Sequence, residues 1–235
     1  MLFKRPSLER GHANHGWLDS YFTFSFADYY DPNFRGFSVL RVINEDRIQG
    51  GGGFDTHEHK DMEIITYVLD GAIQHKDTLG NSGVIYPGEV QRMSAGSGIA
   101  HSEFNHYKDK VSHLLQIWIF PKVKGLKPSY EQKSFKDQFG KNSFTLVASQ
   151  TAKSGSLTIH QDVNLYIAHI AKDKELVFSN EAKRTYWIQV CKGDLLIKGT
   201  HLQEGDGLGI TEEKELKFKS PEGAEFLFFD LPTKE

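Results

Sequence analysis

The chain has 235 residues, 38% hydrophobic and 25% charged, with 28 Lys and Arg against 31 Asp and Glu for a formal net charge of −3. This balance excludes a disordered polymer, which lacks the apolar surface to offset chain entropy, and it shows no basic footprint for gripping phosphates directly. The most apolar run, His113 to Phe120, falls far short of the roughly 20 residues of a membrane-spanning helix.

Met1 to Gly16 mixes charge, His and Gly without an apolar stretch, so no signal peptide is expected. A single cysteine, Cys191, excludes an internal disulfide and fits a reducing compartment, hence a cytoplasmic protein. Period-two alternation dominates the remainder of the chain. Tyr21 to Phe26 sets three Phe on one face, Phe37 to Ile43 is apolar and β-branched, and Gly50 to Gly53 breaks the chain. Ile64 to Leu69 with Asp70-Gly71 predicts strand, tight turn, strand. Asn81-Ser82-Gly83 and Pro87-Gly88-Glu89 are further turns, spaced as in an all-β barrel. Pro121 to Pro128 is rich in Lys, Gly and Pro and marks a linker between two halves. A short helix is predicted over Ser129 to Phe139, from Phe135 and Phe139 four apart and Gly140 as a stop. The second half repeats the logic of the first, with strands at Phe144–Val147, Tyr186–Val190, Asp194–Ile197 and Phe226–Phe229. Two tandem antiparallel β-barrels of related design are expected, with boundaries at 1–128 and 129–235.

The histidines carry the chemistry. His57 and His59 are separated by Glu58, so on a strand both imidazoles point to one face. His101 and Glu103 repeat that spacing, and Asn105 continues the face. Two paired strands giving two inward side chains each build a site of three imidazoles and one carboxylate. Such a mixed N/O set suits one divalent Fe, Mn, Co, Ni, Cu or Zn. Glu63 is expected either behind these residues or in a salt bridge. His12, His15, His75, His106, His113, His160, His169 and His201 lack partners at ligand spacing and are expected to be core, surface or turn histidines. Cys191 is expected to be a buried, inert thiol. No nucleotide loop, nucleophile elbow or CxxC pair is present.

These residues resemble a cupin, and more narrowly the pirin family. Gly51 to Gly71, with His57-Glu58-His59 and Glu63, is similar to the first cupin element. Gln91-Arg92-Met93-Ser94-Ala95-Gly96-Ser97-Gly98-Ile99-Ala100-His101-Ser102-Glu103 looks like the pirin signature, with Gly96-Ser97-Gly98 in place of the general cupin Pro-x-Gly. Arg10-Gly11-His12, Phe24 to Tyr30 and Arg41 to Asp46 extend the likeness over most of 5–120, and Phe228 to Pro232 closes the second half similarly. The resemblance implies an all-β bicupin of jelly-roll type with little helix, binding one metal in the N-terminal barrel through His57, His59, His101 and Glu103. It implies quercetin 2,3-dioxygenase activity, the O2-dependent opening of a flavonol heterocycle with release of carbon monoxide, with Glu103 accepting the 3-hydroxyl proton. Family members also act as non-enzymatic, metal-containing regulators that bind transcription factors or metabolic enzymes, and another cupin reaction on a small diketone or enol is a third reading. The expected partners are a flavonol and O2, with a protein partner under the second reading, and neither nucleic acid nor membrane.

The C-terminal barrel is expected to hold no metal. Aligning Gly193 with Gly71 sets Ser179 opposite His57, Glu181 opposite His59 and Thr185 opposite Glu63. Aligning Gly205 with Gly88 sets Phe218 opposite His101 and Ser220 opposite Glu103.

Overall fold

Buried and more exposed side chains alternate along some strands, Ile99–Asn105 and Glu215–Ser220 among them, whereas others, such as Glu63–Asp70, are buried on both faces. The computed structural model describes residues 1–180 and 182–233. In chain order the strands begin with β1 (Leu2–Arg5), β2 (Gly11–Asn14), β3 (Leu18–Phe22), β4 (Leu40–Ile48), β5 (Gly53–His59) and β6 (Glu63–Asp70). Next come β7 (Ile73–Asp77), β8 (Ser82–Ile85), β9 (Glu89–Ser94), β10 (Ile99–Asn105), β11 (Ser112–Ile119) and β12 (Ser129–Ser134). The second half contributes β13 (Ser143–Ser149), β14 (Leu157–Thr158), β15 (Asn164–Ile170), β16 (Lys174–Ser179) and β17 (Arg184–Gly193). It closes with β18 (Leu195–Ile197), β19 (Thr200–Leu202), β20 (Gly207–Thr211), β21 (Glu215–Ser220) and β22 (Ala224–Pro232). Among the described residues the only helical turns are three short 3-10 segments, and no helix is long and apolar enough to cross a membrane.

Two compact units result, and each borrows a piece of chain from the other half. The N-terminal unit comprises Gly11–Lys136 and Leu157–Gln161; the C-terminal unit comprises Met1–Arg10, Asp137–Ser156 and Asp162–Glu235. In the N-terminal unit a seven-stranded sheet runs β12-β9-β6-β11-β4-β3-β2, and a four-stranded sheet runs β5-β10-β7-β8. In the C-terminal unit the orders are β1-β20-β17-β22-β15-β13 and β16-β21-β18-β19. Adding eleven to the strand numbers of the first four-stranded sheet yields the second. Every pairing recorded within these sheets is antiparallel. The chain is therefore an all-β bicupin.

The Ser129–Phe139 helix is not formed. Ser129–Ser134 is strand β12, paired residue for residue with β9 from Ser129↔Ser94 to Ser134↔Glu89. The helical signal rested on Phe135 and Phe139, but a strand lets Tyr130 and Gln132 face inward while Glu131 faces outward to Arg92, a buried guanidinium. Arg92 also donates to Ser129 O at 3.1 Å and Ser129 Oγ at 2.7 Å, which fixes the register of β12. The strand expected over Tyr21–Phe26 starts earlier and stops at Phe22, because Ser25 closes a loop through its amide to Phe34 O (2.7 Å) and its hydroxyl to Asp31 O (3.0 Å). Residues 121–128 contain no strand and lie within the N-terminal unit, ahead of its strand β12.

The cores of the two units differ in kind. The C-terminal unit is filled with aromatic and aliphatic side chains, Phe144, Phe178, Phe218, Phe226 and Phe228 among them, with ring centroids 4.6–6.1 Å apart. The inner face of the seven-stranded sheet of the N-terminal unit instead carries a polar row. Asn44, Gln116, Thr66, Gln91 and Gln132 face one another across β4, β11, β6, β9 and β12. Burying such a row costs free energy unless something satisfies it. Among the described residues, Asn44 Oδ1 and both polar atoms of Gln91 have no hydrogen-bond partner.

Candidate metal centre

The site is built on β5, β10 and β7 of the N-terminal unit. Antiparallel pairing sets His57 directly opposite His101, with a β-bulge in the register between His101 and Glu103. Because i and i+2 share a face, His59 joins His57 from one strand while Glu103 lies below His101 on the other. Ring centroids are 4.8 Å apart for His57–His59, 4.5 Å for His57–His101 and 4.9 Å for His59–His101, close to an equilateral triangle. Their ligand-type nitrogens lie within 4.8 Å of one another. The turn that launches β10 needs its glycines: Gly96 has φ +48°, and a Cβ there would run into the Leu126 carbonyl.

The electrostatics suit a cation. Burial first, then the neighbouring imidazoles, push His59 down to about 4 and His101 down to about 3, so both rings are neutral and bear a lone pair at neutral pH. His57 Nδ1 donates to Asp55 O at 2.8 Å, which leaves Nε2 with the free lone pair. His101 Nε2 is buried and has no hydrogen-bond partner among the described residues. An orphaned buried nitrogen beside two further imidazoles is what a divalent metal would satisfy, so the residues fit that group.

Glu103 is buried and already oriented. Thr66 Oγ1 donates to its Oε1 at 3.1 Å and Gln116 Nε2 to its Oε2 at 2.6 Å. Its carboxylate groups with His101 and His75, the second cluster of ligand-type atoms within 4.8 Å. Trp118 closes the side of the triangle, its ring edge-on to His59 at 4.9 Å.

The sequence overlooks His75. It is fully buried, stacked on Tyr130 with centroids 4.8 Å apart, and faces Glu103 across the β7–β10 ladder. The available signal is the same-face pair His75 and Asp77 on an alternating strand, Ile73–Asp77, whose burial pattern is in-out-in-out-in. Glu63, by contrast, is not behind the imidazoles. It opens a separate strand, with the opposite face, and accepts from Ser94 Oγ at 2.9 Å and His160 N at 3.1 Å. Asn105 shares the face of His101, but its amide is consumed by Ile48 O (2.8 Å), Lys110 O (2.6 Å) and the Ser112 hydroxyl (2.8 Å). His113 pairs with Glu45 at 2.9 Å, His12 with Asp19 at 2.6 Å, and Cys191 is buried.

In the C-terminal unit the register differs from the alignment of turns. Leu176, not Ser179, stands opposite Phe218, and Ser179 pairs with Glu215. The alignment anchored on glycines and could not see where β16 enters the sheet. Glu181 lies outside the described residues. Among the described residues, both clusters of ligand-type side chains belong to the N-terminal unit.

Comparison with known proteins gives the same picture. The pirin family model matches residues 4–119, and a model described as a quercetinase C-terminal cupin domain matches 146–231. The chain is 51% identical over 232 residues to the quercetin 2,3-dioxygenase of Escherichia coli K12, covering 99% of both proteins. It belongs to the pirin family. A pirin-like protein of Caulobacter vibrioides is 39% identical, over 98% of this chain and 99% of that one. The crystal structure of the bacterial pirin YhhW from Escherichia coli in complex with nickel(II) superposes with a TM-score of 0.95 at 50% identity, covering 100% of each chain.

Proposed function

We propose that this pirin opens the heterocycle of a flavonol such as quercetin with O2, releasing carbon monoxide, at one divalent transition metal held by His57, His59, His101 and Glu103. The observation that carries the reading is the triangle of three imidazoles, one of whose corners is His101 with a buried Nε2 that has no partner among the described residues. Full-length identity to a protein named quercetin 2,3-dioxygenase supports the substrate class. A divalent metal supplies Lewis acidity that favours the anion of a bound flavonol 3-hydroxyl. The remaining work falls to the chain. Glu103 takes up the 3-hydroxyl proton, and Thr66 and Gln116 hold its carboxylate in one orientation for that transfer. Trp118 offers an apolar ring beside His59, against which a flat aromatic substrate packs.

The test is oxygen consumption with quercetin, tracked together with loss of its visible absorption, by protein loaded in turn with Fe, Mn, Co, Ni and Cu. Glu103→Gln keeps the shape of the side chain and removes the base, so turnover should fall by about 10²-fold or more while quercetin binding changes little. Absence of turnover with every one of these metals would refute the activity and turn attention to a regulatory protein partner.

A further inference from the structure

We infer that Asp77 and His75 form a relay that fixes the tautomer of His101 and thereby presents its Nε2 lone pair; the inference deepens the metal-centre reading and rests on it. Asp77 is the fixed end. Its side chain is fully buried, and it accepts from Leu79 N at 2.9 Å, Asn81 N at 3.0 Å and Asn81 Nδ2 at 2.9 Å. Three N–H groups thus converge on its two oxygens, the bonding pattern of a carboxylate. A carboxylate can only accept. In the neutral ring of His75, Nε2, 3.4 Å from Asp77 Oδ2, is therefore the nitrogen that carries the proton, which leaves Nδ1 as an acceptor.

That acceptor faces His101 Nδ1 at 3.5 Å. Two bare nitrogens would repel there, so His101 carries its proton on Nδ1 and donates it to His75. Nε2 of His101 is then the deprotonated nitrogen, and it is the buried ring nitrogen without a partner. The geometry is enforced by packing. His75 is clamped flat against Tyr130, 4.8 Å between centroids at 23°, and the β7–β10 ladder sets Asp77 beside His101 and His75 beside Glu103. His75 acts through His101 and is a positioning residue. Partners of this kind behind a metal-binding imidazole typically change metal affinity by about 10–100-fold.

Nitrogen-15 NMR of histidine-labelled, metal-free protein tests this directly. Wild-type His101 should be protonated on Nδ1 and His75 on Nε2. His75→Phe keeps the ring stacked on Tyr130 but removes the acceptor. Its His101 should populate the Nε2-protonated form, and nickel(II) should bind about 10–100-fold more weakly, with an intact β circular dichroism spectrum. His75→Asn, whose side-chain oxygen restores an acceptor toward His101, should recover most of the affinity. Nε2-protonated His101 in the wild type would overturn the relay even if neither variant folds, as would a folded His75→Phe protein with unchanged tautomer and nickel affinity. If the tautomers are as described and wild type binds no nickel, the relay stands and the metal-centre reading fails.

Discussion

His57 and His101 expose the same nitrogen by different routes. His57 does so within its own strand, through the Asp55 carbonyl, and His101 through His75, whose strand pairs with its own across the sheet. The polar interior that surrounds them has a thermodynamic consequence at Asp46. This residue is buried on β4 beside Ser20, and burial, less the help of the Ser20 hydroxyl, raises its carboxyl from 3.8 to about 7. Its folded-state value lies above its unfolded value, so the folded protein holds the proton longer. The Asp46 contribution to stability is full below about pH 4 and is lost as pH rises to about 7. For metal-free protein, Asp46→Asn should therefore melt above wild type at pH 8, with the gap narrowing through pH 5 and closing near pH 4. A constant difference across that range would contradict the burial argument. The convergence of His57 with His59 and of His101 with Glu103 is legible in the sequence because the i, i+2 relation is a local property of a strand. His75 is not, because its role depends on which strand β10 pairs with on its other edge.

Among the elements, β12 departs most from what its sequence suggests. Two Phe at helical spacing outweighed an alternation of only six residues, and the deciding contact, Arg92 with Glu131, spans 39 positions. Strand β12 closes the β9 edge of the sheet, which would otherwise offer unpaired amides. Glu131→Ala should cost about 1–3 kcal/mol in denaturant unfolding, more than an exposed ion pair, because it strands a buried guanidinium. In a helix Glu131 would face no such partner, and a change below about 0.5 kcal/mol would argue against the strand. The polar row from Asn44 to Gln132 was also invisible. Each member is an unremarkable polar residue in its own strand, and only the register aligns them.

At the scale of the molecule, the repeat is a repeat of topology more than of sequence. Strand β1 occupies in the C-terminal unit the edge position that β12 occupies in the N-terminal unit. The first residues of the chain therefore belong with its last hundred. Leu2 to Arg5 pair with Ile210 to Gly207, Thr211 N donates to Met1 O at 3.0 Å, and Asp206, buried, accepts from Ser7 N at 2.6 Å and pairs with Lys4 at 3.0 Å. Removing residues 1–10 should speed amide exchange in Gly207–Thr211 and leave the β10 amides protected, as hydrogen-exchange mass spectrometry would resolve. Slower protection loss in β20 than in β10 would contradict this assignment of β1. The tandem barrels were readable from turn spacing and alternation, whereas no local signal in the first ten residues shows that they pair with β20.

The central claim is one metal per chain at the imidazole triangle of the N-terminal unit, and metal analysis after mild dialysis tests it most directly. Wild-type protein should retain one equivalent of a divalent transition metal, and the His57→Ala/His101→Ala double variant should retain almost none with its β circular dichroism spectrum unchanged. Full occupancy in the double variant, or a ratio near two in the wild type, would contradict it.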